Sequence, residues 1–167
     1  MLRGTTFWMV VMILTVAVAG VVLSPTNSVD QPIPFNHRVH VQDLGLDCTD
    51  CHIYAKTGVR ATIPNVEICS ACHVETLSGS PGEAQLLDHV RSEQAIPWRK
   101  VYWVPEHVYF SHRQHTSLAG IDCEVCHGPV GEREEALTNR LVEVTMDDCI
   151  QCHDEQGTSD DCIACHR

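Results

Sequence analysis

Every one of the ten cysteines in this sequence belongs to a copy of the same pentapeptide, C-x-x-C-H. The copies are Cys48, Cys51, His52; Cys69, Cys72, His73; Cys123, Cys126, His127; Cys149, Cys152, His153; and Cys162, Cys165, His166. Two thiols three positions apart lie on one side of a helical turn, where they can add to the two vinyl groups of one haem. The His that follows then faces the iron as its proximal ligand. A single C-x-x-C would serve zinc or thiol redox chemistry equally well. Five copies, each with its His and with no Cys left over, instead predict five covalently bound haem c groups (Fe) and argue against a disulfide scaffold.

The rest of the composition agrees. Three Phe, three Tyr and three Trp in 167 residues are too few large side chains for an ordinary core of this size. Haem rings would supply the missing apolar bulk, and a domain that depends on them unfolds without them, as small metal-dependent domains do. The expected fold is a small multihaem cytochrome c, with short α-helices and irregular segments wrapped around five haems.

Covalent haem attachment takes place outside the cytoplasmic membrane, and the N-terminus fits an exported chain. Arg3 precedes an uncharged apolar run from Phe7 to Leu23, closed by Pro25, Asn27 and Asp30. Those seventeen residues would span roughly 26 Å as a helix, just enough to cross a hydrocarbon core. Residues 1–30 are therefore expected to be a signal-anchor or transmembrane segment, and residues 31–167 a pentahaem domain in the periplasm, tethered to the bacterial cytoplasmic membrane by a single pass. A cleaved signal peptide, cut after Ala17 and Ala19, competes with that expectation. The formal charge of −11 argues against nucleic acid as a partner. Acidic runs such as Glu132, Glu134 and Glu135 either steer basic redox partners or simply solvate a surface.

The chain also repeats itself. Phe35-Asn-His37-Arg-Val-His40 leads to Gly45-Leu-Asp47-Cys48, and Phe110-Ser-His112-Arg-Gln-His115 leads at the same separation to Gly120-Ile-Asp122-Cys123. Each half is thus F-x-H-x-x-H followed by haem motifs. Between them, Ser78 to Gly82 reads as a loop and Glu83 to Ser92 as a short helix, and Pro97 and Pro105 set off the stretch from Trp98 to Val104.

Six histidines remain beyond the proximal five: His37, His40, His89, His107, His112 and His115. Residues at i and i+3 of a helix are neighbours that project at different angles, so each H-x-x-H can reach two haems. Four distal ligands follow: His37, His40, His112 and His115. The fifth could come from His89, His107 or Met146. His89 sits in an ordinary amphipathic helix, and Met146 lies awkwardly close to Cys149. His107 follows Pro105 and precedes His112 by five residues, so an extended connection would hold it near the haems, and His107 is the expected ligand. Bis-His ligation leaves no position for substrate, which predicts an electron carrier with no catalytic residues.

F-x-H-x-x-H followed by C-x-x-C-H sites resembles the class III multihaem cytochromes c, in which the two His serve different haems. A wider likeness carried by Pro32–His37, Gly45–Cys48, Ile96–Trp98, Pro105–Phe110, Met146 and Cys162–Arg167 resembles the membrane-anchored pentahaem subunit of alternative complex III. That resemblance implies a quinol-oxidising respiratory or photosynthetic assembly. Its partners would be an iron–sulfur subunit, a monohaem cytochrome c and a polytopic quinone-binding subunit, with the N-terminal helix in the membrane. Similar subunits occur in quinone-reducing complexes, where electrons run the other way. Competing functions are a stand-alone membrane-anchored periplasmic shuttle to reductases, and a multihaem oxyanion reductase, which would need an open haem site.

Overall fold

The computed structural model of the protein describes Met12 and residues 28–166. Its helices are short, and a polar side chain starts nearly all of them. Helix α1 (Cys48–Cys51) begins at Asp47, whose carboxylate accepts from Thr49 N while Asp47 N donates to Asp50. Helix α2 (Val66–Cys69) begins at Asn65, α3 (Pro81–Ser92) at Ser80 and α4 (Cys123–His127) at Asp122. Thr145 and Asp148 exchange bonds across the first turn of α5 (Met146–Glu155), and α6 (Cys162–Cys165) closes the chain. These side chains satisfy the free N–H groups of a helix start, so single turns can form where propensity alone could not nucleate them.

Helix α3 starts two residues before the expected Glu83. Pro81 takes the first helical position, where its missing N–H costs nothing, and Ser80 Oγ accepts from Glu83 N at 3.2 Å. The two H-x-x-H segments run into wide π-turns, Val39–Asp43 and Arg113–Leu118, closed by Leu44 N donating to Val39 O and Ala119 N to Gln114 O, both 3.0 Å. A 3-10 turn covers Val130–Glu132. Among the described residues there is no strand, only an isolated antiparallel bridge between Val108 and His166. The chain has a helical, strandless multihaem cytochrome c fold.

The apolar core is small and one-sided. Ile33, Val66 and Ile96 are buried together, with Cys69, Leu86, Val90 and Trp98 packed on them, all within the first half. By contrast Val125, Ile150 and Ile163, which lie between the cysteines of the last three motifs, are 62%, 41% and 86% exposed to the polypeptide's surroundings.

The halves clasp each other reciprocally. The first π-turn lies on the segment after the fourth helix: Arg38 N donates to Arg133 O at 2.9 Å, Arg38 pairs with Glu134 at 2.6 Å, and Gly131 lies against Val41. The second π-turn lies on the segment after the first helix, through His112 N to Val59 O, Arg113 N to Gly58 O and Thr116 Oγ1 to Ala55 O. Each H-x-x-H is thus braced by the half that did not supply it.

Among the described residues no helix is long and apolar enough to cross a membrane. The longest, α3, has twelve residues and reaches only about 18 Å, well short of a hydrocarbon core of about 30 Å. This overturns the expected localisation, a haem domain held on the bacterial cytoplasmic membrane by a single-pass helix. The apolar run from Phe7 to Leu23 on which it rested lies, Met12 apart, outside the described residues.

Candidate functional site

Each C-x-x-C-H is set on a helical turn. Backbone bonds from His52 N to Cys48 O, His73 N to Cys69 O and His166 N to Cys162 O, at 2.8, 2.9 and 2.8 Å, draw the proximal His back over its own first Cys. None of the ten cysteines is in a disulfide. Burial pushes the thiols of Cys51, Cys69, Cys126 and Cys149 above their ordinary range, and that of Cys48 too, where Cys123 and Asp47 add to it.

The same interactions reveal which motifs adjoin. Cys51 neighbours Cys72 and Cys69; Cys48 neighbours Cys123; Cys126 neighbours Cys152; Cys149 neighbours Cys165. In space the motifs run second, first, third, fourth, fifth.

The F-x-H-x-x-H segments have one geometry twice. Phe35 meets His37 edge-on (4.7 Å, 86°) and stacks on His40 (4.6 Å, 21°). Phe110 meets His112 edge-on (4.9 Å, 85°) and stacks on His115 (4.6 Å, 26°). The phenyl ring thereby contacts both imidazoles, crossing the first steeply and lying closer to parallel with the second. Both second His are also anchored through Nδ1, His40 to Asn36 O at 2.8 Å and His115 to Ser111 O at 2.9 Å.

Each distal candidate then faces a proximal His. Ring centroids lie 6.2 Å apart for His40 and His73, 6.4 Å for His112 and His127, and 6.2 Å for His115 and His153. His37 lies close enough to His52 to feel its charge, and burial, with His52 and His40, lowers its pKa to about 4. His107 stacks with His166 at 5.4 Å. An imidazole nitrogen binds a first-row metal at about 2 Å and stands about 1.2 Å from its ring centroid, so two axial imidazoles on one metal have centroids about 6.4 Å apart. Three pairs match that separation, and the fourth is about 1 Å tighter. Where Nδ1 donates to a backbone carbonyl, the Nε2 lone pair is left free for a metal. His52 with Thr62 O (3.0 Å), His112 with Val59 O (3.3 Å) and His153 with Ser159 O (2.7 Å) join His40 and His115 in this arrangement. Burial also lowers the pKa of His112 and His127, favouring the neutral ligand form. The residues fit haem c, with paired thiols on a turn, facing imidazoles and, in the last three motifs, an apolar side chain between the cysteines.

The two rivals for the last distal position lie elsewhere. His89 is near the end of α3 with Nδ1 on Gln94 O at 3.1 Å, and Met146 is 61% exposed at the first position of α5.

Four residues contribute in ways that spacing does not reveal. The two Phe were visible only as repeated letters, yet they orient four imidazoles. Tyr102 packs edge-on against His127 (4.5 Å), donates to His127 O and accepts from Leu141 N and Val142 N. Glu83, buried at the start of α3, accepts from His73 Nδ1 at 3.1 Å. Its signal was the S-x-x-E pattern of Ser80 and Glu83, a capping box by spacing whose carboxylate in fact turns away from the cap toward the preceding loop.

Residues 33–88 and 108–167 match the family described as cytochrome c7 and related cytochrome c, with a break between the two repeated halves. The chain is also 32% identical over 143 residues to the menaquinone reductase multiheme cytochrome c subunit of Nitratidesulfovibrio vulgaris strain Hildenborough, covering 74% of this chain and 68% of that protein. Repeat, thiol turns and facing imidazoles agree with both matches, and the chain belongs to the cytochrome c7 and related cytochrome c family, as a multihaem electron-transfer protein that binds haem c covalently.

Proposed function

We propose that this chain carries five haems c, one on each C-x-x-C-H, and relays electrons along them as a non-catalytic subunit of a quinone-linked redox assembly. The single observation that carries the reading is the set of facing imidazoles. The imidazoles that would hold iron together are His52 with His37, His73 with His40, His127 with His112, His153 with His115, and His166 with His107. Bound haem c supplies reversible one-electron exchange at iron. The polypeptide sets distance and potential, and with two imidazoles per iron it leaves no position open to an oxyanion. Neighbouring thiols give the row its order, second, first, third, fourth, fifth, so the ends are the haems of His73 and His166.

The relative's name supports the host. A multihaem subunit of a menaquinone reductase receives its name from an assembly that reduces quinone, and this chain shares most of its length with that protein. A quinol-oxidising host of the alternative complex III type is the second reading, favoured by the segments from Pro32 to His37 and from Pro105 to Phe110. The test has two parts. The mass of the loaded chain should correspond to five haems, and the reduced protein should not bind carbon monoxide; fewer haems or rapid binding overturns the bis-His relay. The protein isolated from a detergent-treated extract should bring an iron–sulfur subunit and a polytopic quinone-binding subunit with it, and recovery as a lone haem protein would favour a free shuttle. Within the assembly, haem oxidation by added menaquinone distinguishes a reductase host from a quinol-oxidising one.

A further inference from the structure

Among the described residues, five ligand-candidate imidazoles rest Nδ1 on a neutral backbone carbonyl, and His73 alone rests it on a carboxylate. We infer that Glu83 is a positioning residue that gives the His73 imidazole added electron density and lowers the reduction potential of the haem at that end of the row.

The carboxylate is built in, with only 3% of its side chain exposed. Oε1 accepts from Leu77 N at 2.8 Å and from His73 Nδ1 at 3.1 Å, while Oε2 accepts from Ser78 N, Ser78 Oγ and Gly79 N at 2.8, 2.9 and 2.7 Å. Five donors converge on this one carboxylate, an arrangement that favours its anionic form. Closing the loop from residue 77 to 79 would use only the four loop donors. The fifth bond, to the ring nitrogen opposite the metal-facing one, does nothing for the loop. An anionic acceptor there draws the Nδ1 proton toward itself, raises the basicity of Nε2 and stabilises ferric over ferrous iron. No proton leaves the pair when one electron arrives.

Position gives this bond its consequence. A haem harder to reduce than its neighbours would be a barrier in the middle of a row, but at an end it is a terminus that passes an electron readily inward. The second half has no such partner: His153, which occupies the matching place, rests on Ser159 O.

The inference depends on the proposed ligation of His73, and the test separates the two. In the full haem-loaded protein, Glu83→Gln should keep five haems and shift the oxidised-to-reduced ratio of one haem about tenfold at fixed potential, which is about 59 mV for one electron. Ser78→Ala, which removes a loop donor without touching His73, should leave every haem's potential in place. Five haems with unmoved potentials in Glu83→Gln, or an equal shift in Ser78→Ala, overturns the role of Glu83. Four haems in the unaltered protein would instead overturn the ligation. If Glu83→Gln is not recovered folded, the low-spin electron paramagnetic resonance spectrum of the unaltered oxidised protein decides: one component set apart from the others, and lost in His73→Ala, supports the inference, and components without such a member overturn it.

Discussion

The first and second halves share a template residue for residue from the Phe to the first haem motif, yet they are held up differently. Both have Phe over two imidazoles, a π-turn, a left-handed Gly and an Asp cap. The first half adds an aliphatic cluster, the long helix α3 and a buried carboxylate behind one imidazole. The second half has no such cluster among the described residues, and its π-turn and closing helix are secured by hydrogen bonds to other segments. The ligand template is therefore independent of how its half is supported. It needs a local turn and a bracing loop, and the brace comes from the other half in both cases.

The largest effect that would break this comparison is removal of a haem at the centre of the row. Cys123 adjoins Cys48 where the halves meet, and its motif is third of five in the row, so replacing Cys123 and Cys126 by Ser should leave no folded, loaded protein. The same replacement of Cys162 and Cys165, at the row's end, should yield a folded protein lighter by one haem. Mass and recovered yield read both outcomes, and equal losses would mean that the halves do not depend on a shared centre.

Next in size is the cluster that only the first half has. Ile96 is 3% exposed, and Ile96→Ala should cost about 2–5 kcal/mol, read from thermal unfolding of the loaded protein. Val125, 62% exposed to the polypeptide's surroundings, makes the sharper test. A bare surface site would lose no more than about 0.5 kcal/mol in Val125→Ala, so a larger loss means that haem, not protein, forms the core of the second half.

Smaller in stability but distinct in spectrum is the choice of the last distal ligand. His107→Ala should turn one haem high-spin, because His107 faces His166, whereas His89→Ala should leave the spectrum unchanged. The reverse pattern would assign the ligand to α3.

Much of this site was legible as letters. The thiol turns and both H-x-x-H pairs are short local patterns, so spacing alone marks them as candidates. What spacing could not carry was long-range. The neighbouring of Cys48 and Cys123, and the bracing of His112 by Val59, join residues from opposite halves. Glu83 was hidden for another reason: its S-x-x-E spacing describes a helix cap, and only the path of residues 77 to 79 turns the carboxylate toward His73. The π-turns leave no mark in the H-x-x-H spacing because each begins only after the first His of its pair, at Val39 and at Arg113.

The smallest expected effect tests the template itself. Gly45 and Gly120 occupy the same place in the two halves, with φ of +72° and +68°, and a Cβ on either would meet nothing within 4 Å. The cost of Ala there is therefore conformational alone, about 1 kcal/mol or somewhat more, with no contribution from crowding. Each Gly turns the chain from the H-x-x-H segment to the Asp cap: Leu46 N reaches back to His40 O and Ile121 N to His115 O, both at 3.0 Å. Gly45→Ala and Gly120→Ala should accordingly lower the unfolding temperature of the loaded protein by similar small amounts and leave haem content unchanged. A markedly larger loss at Gly120 would show that the aliphatic cluster of the first half absorbs strain that the second half cannot, and that the template leans on its support after all.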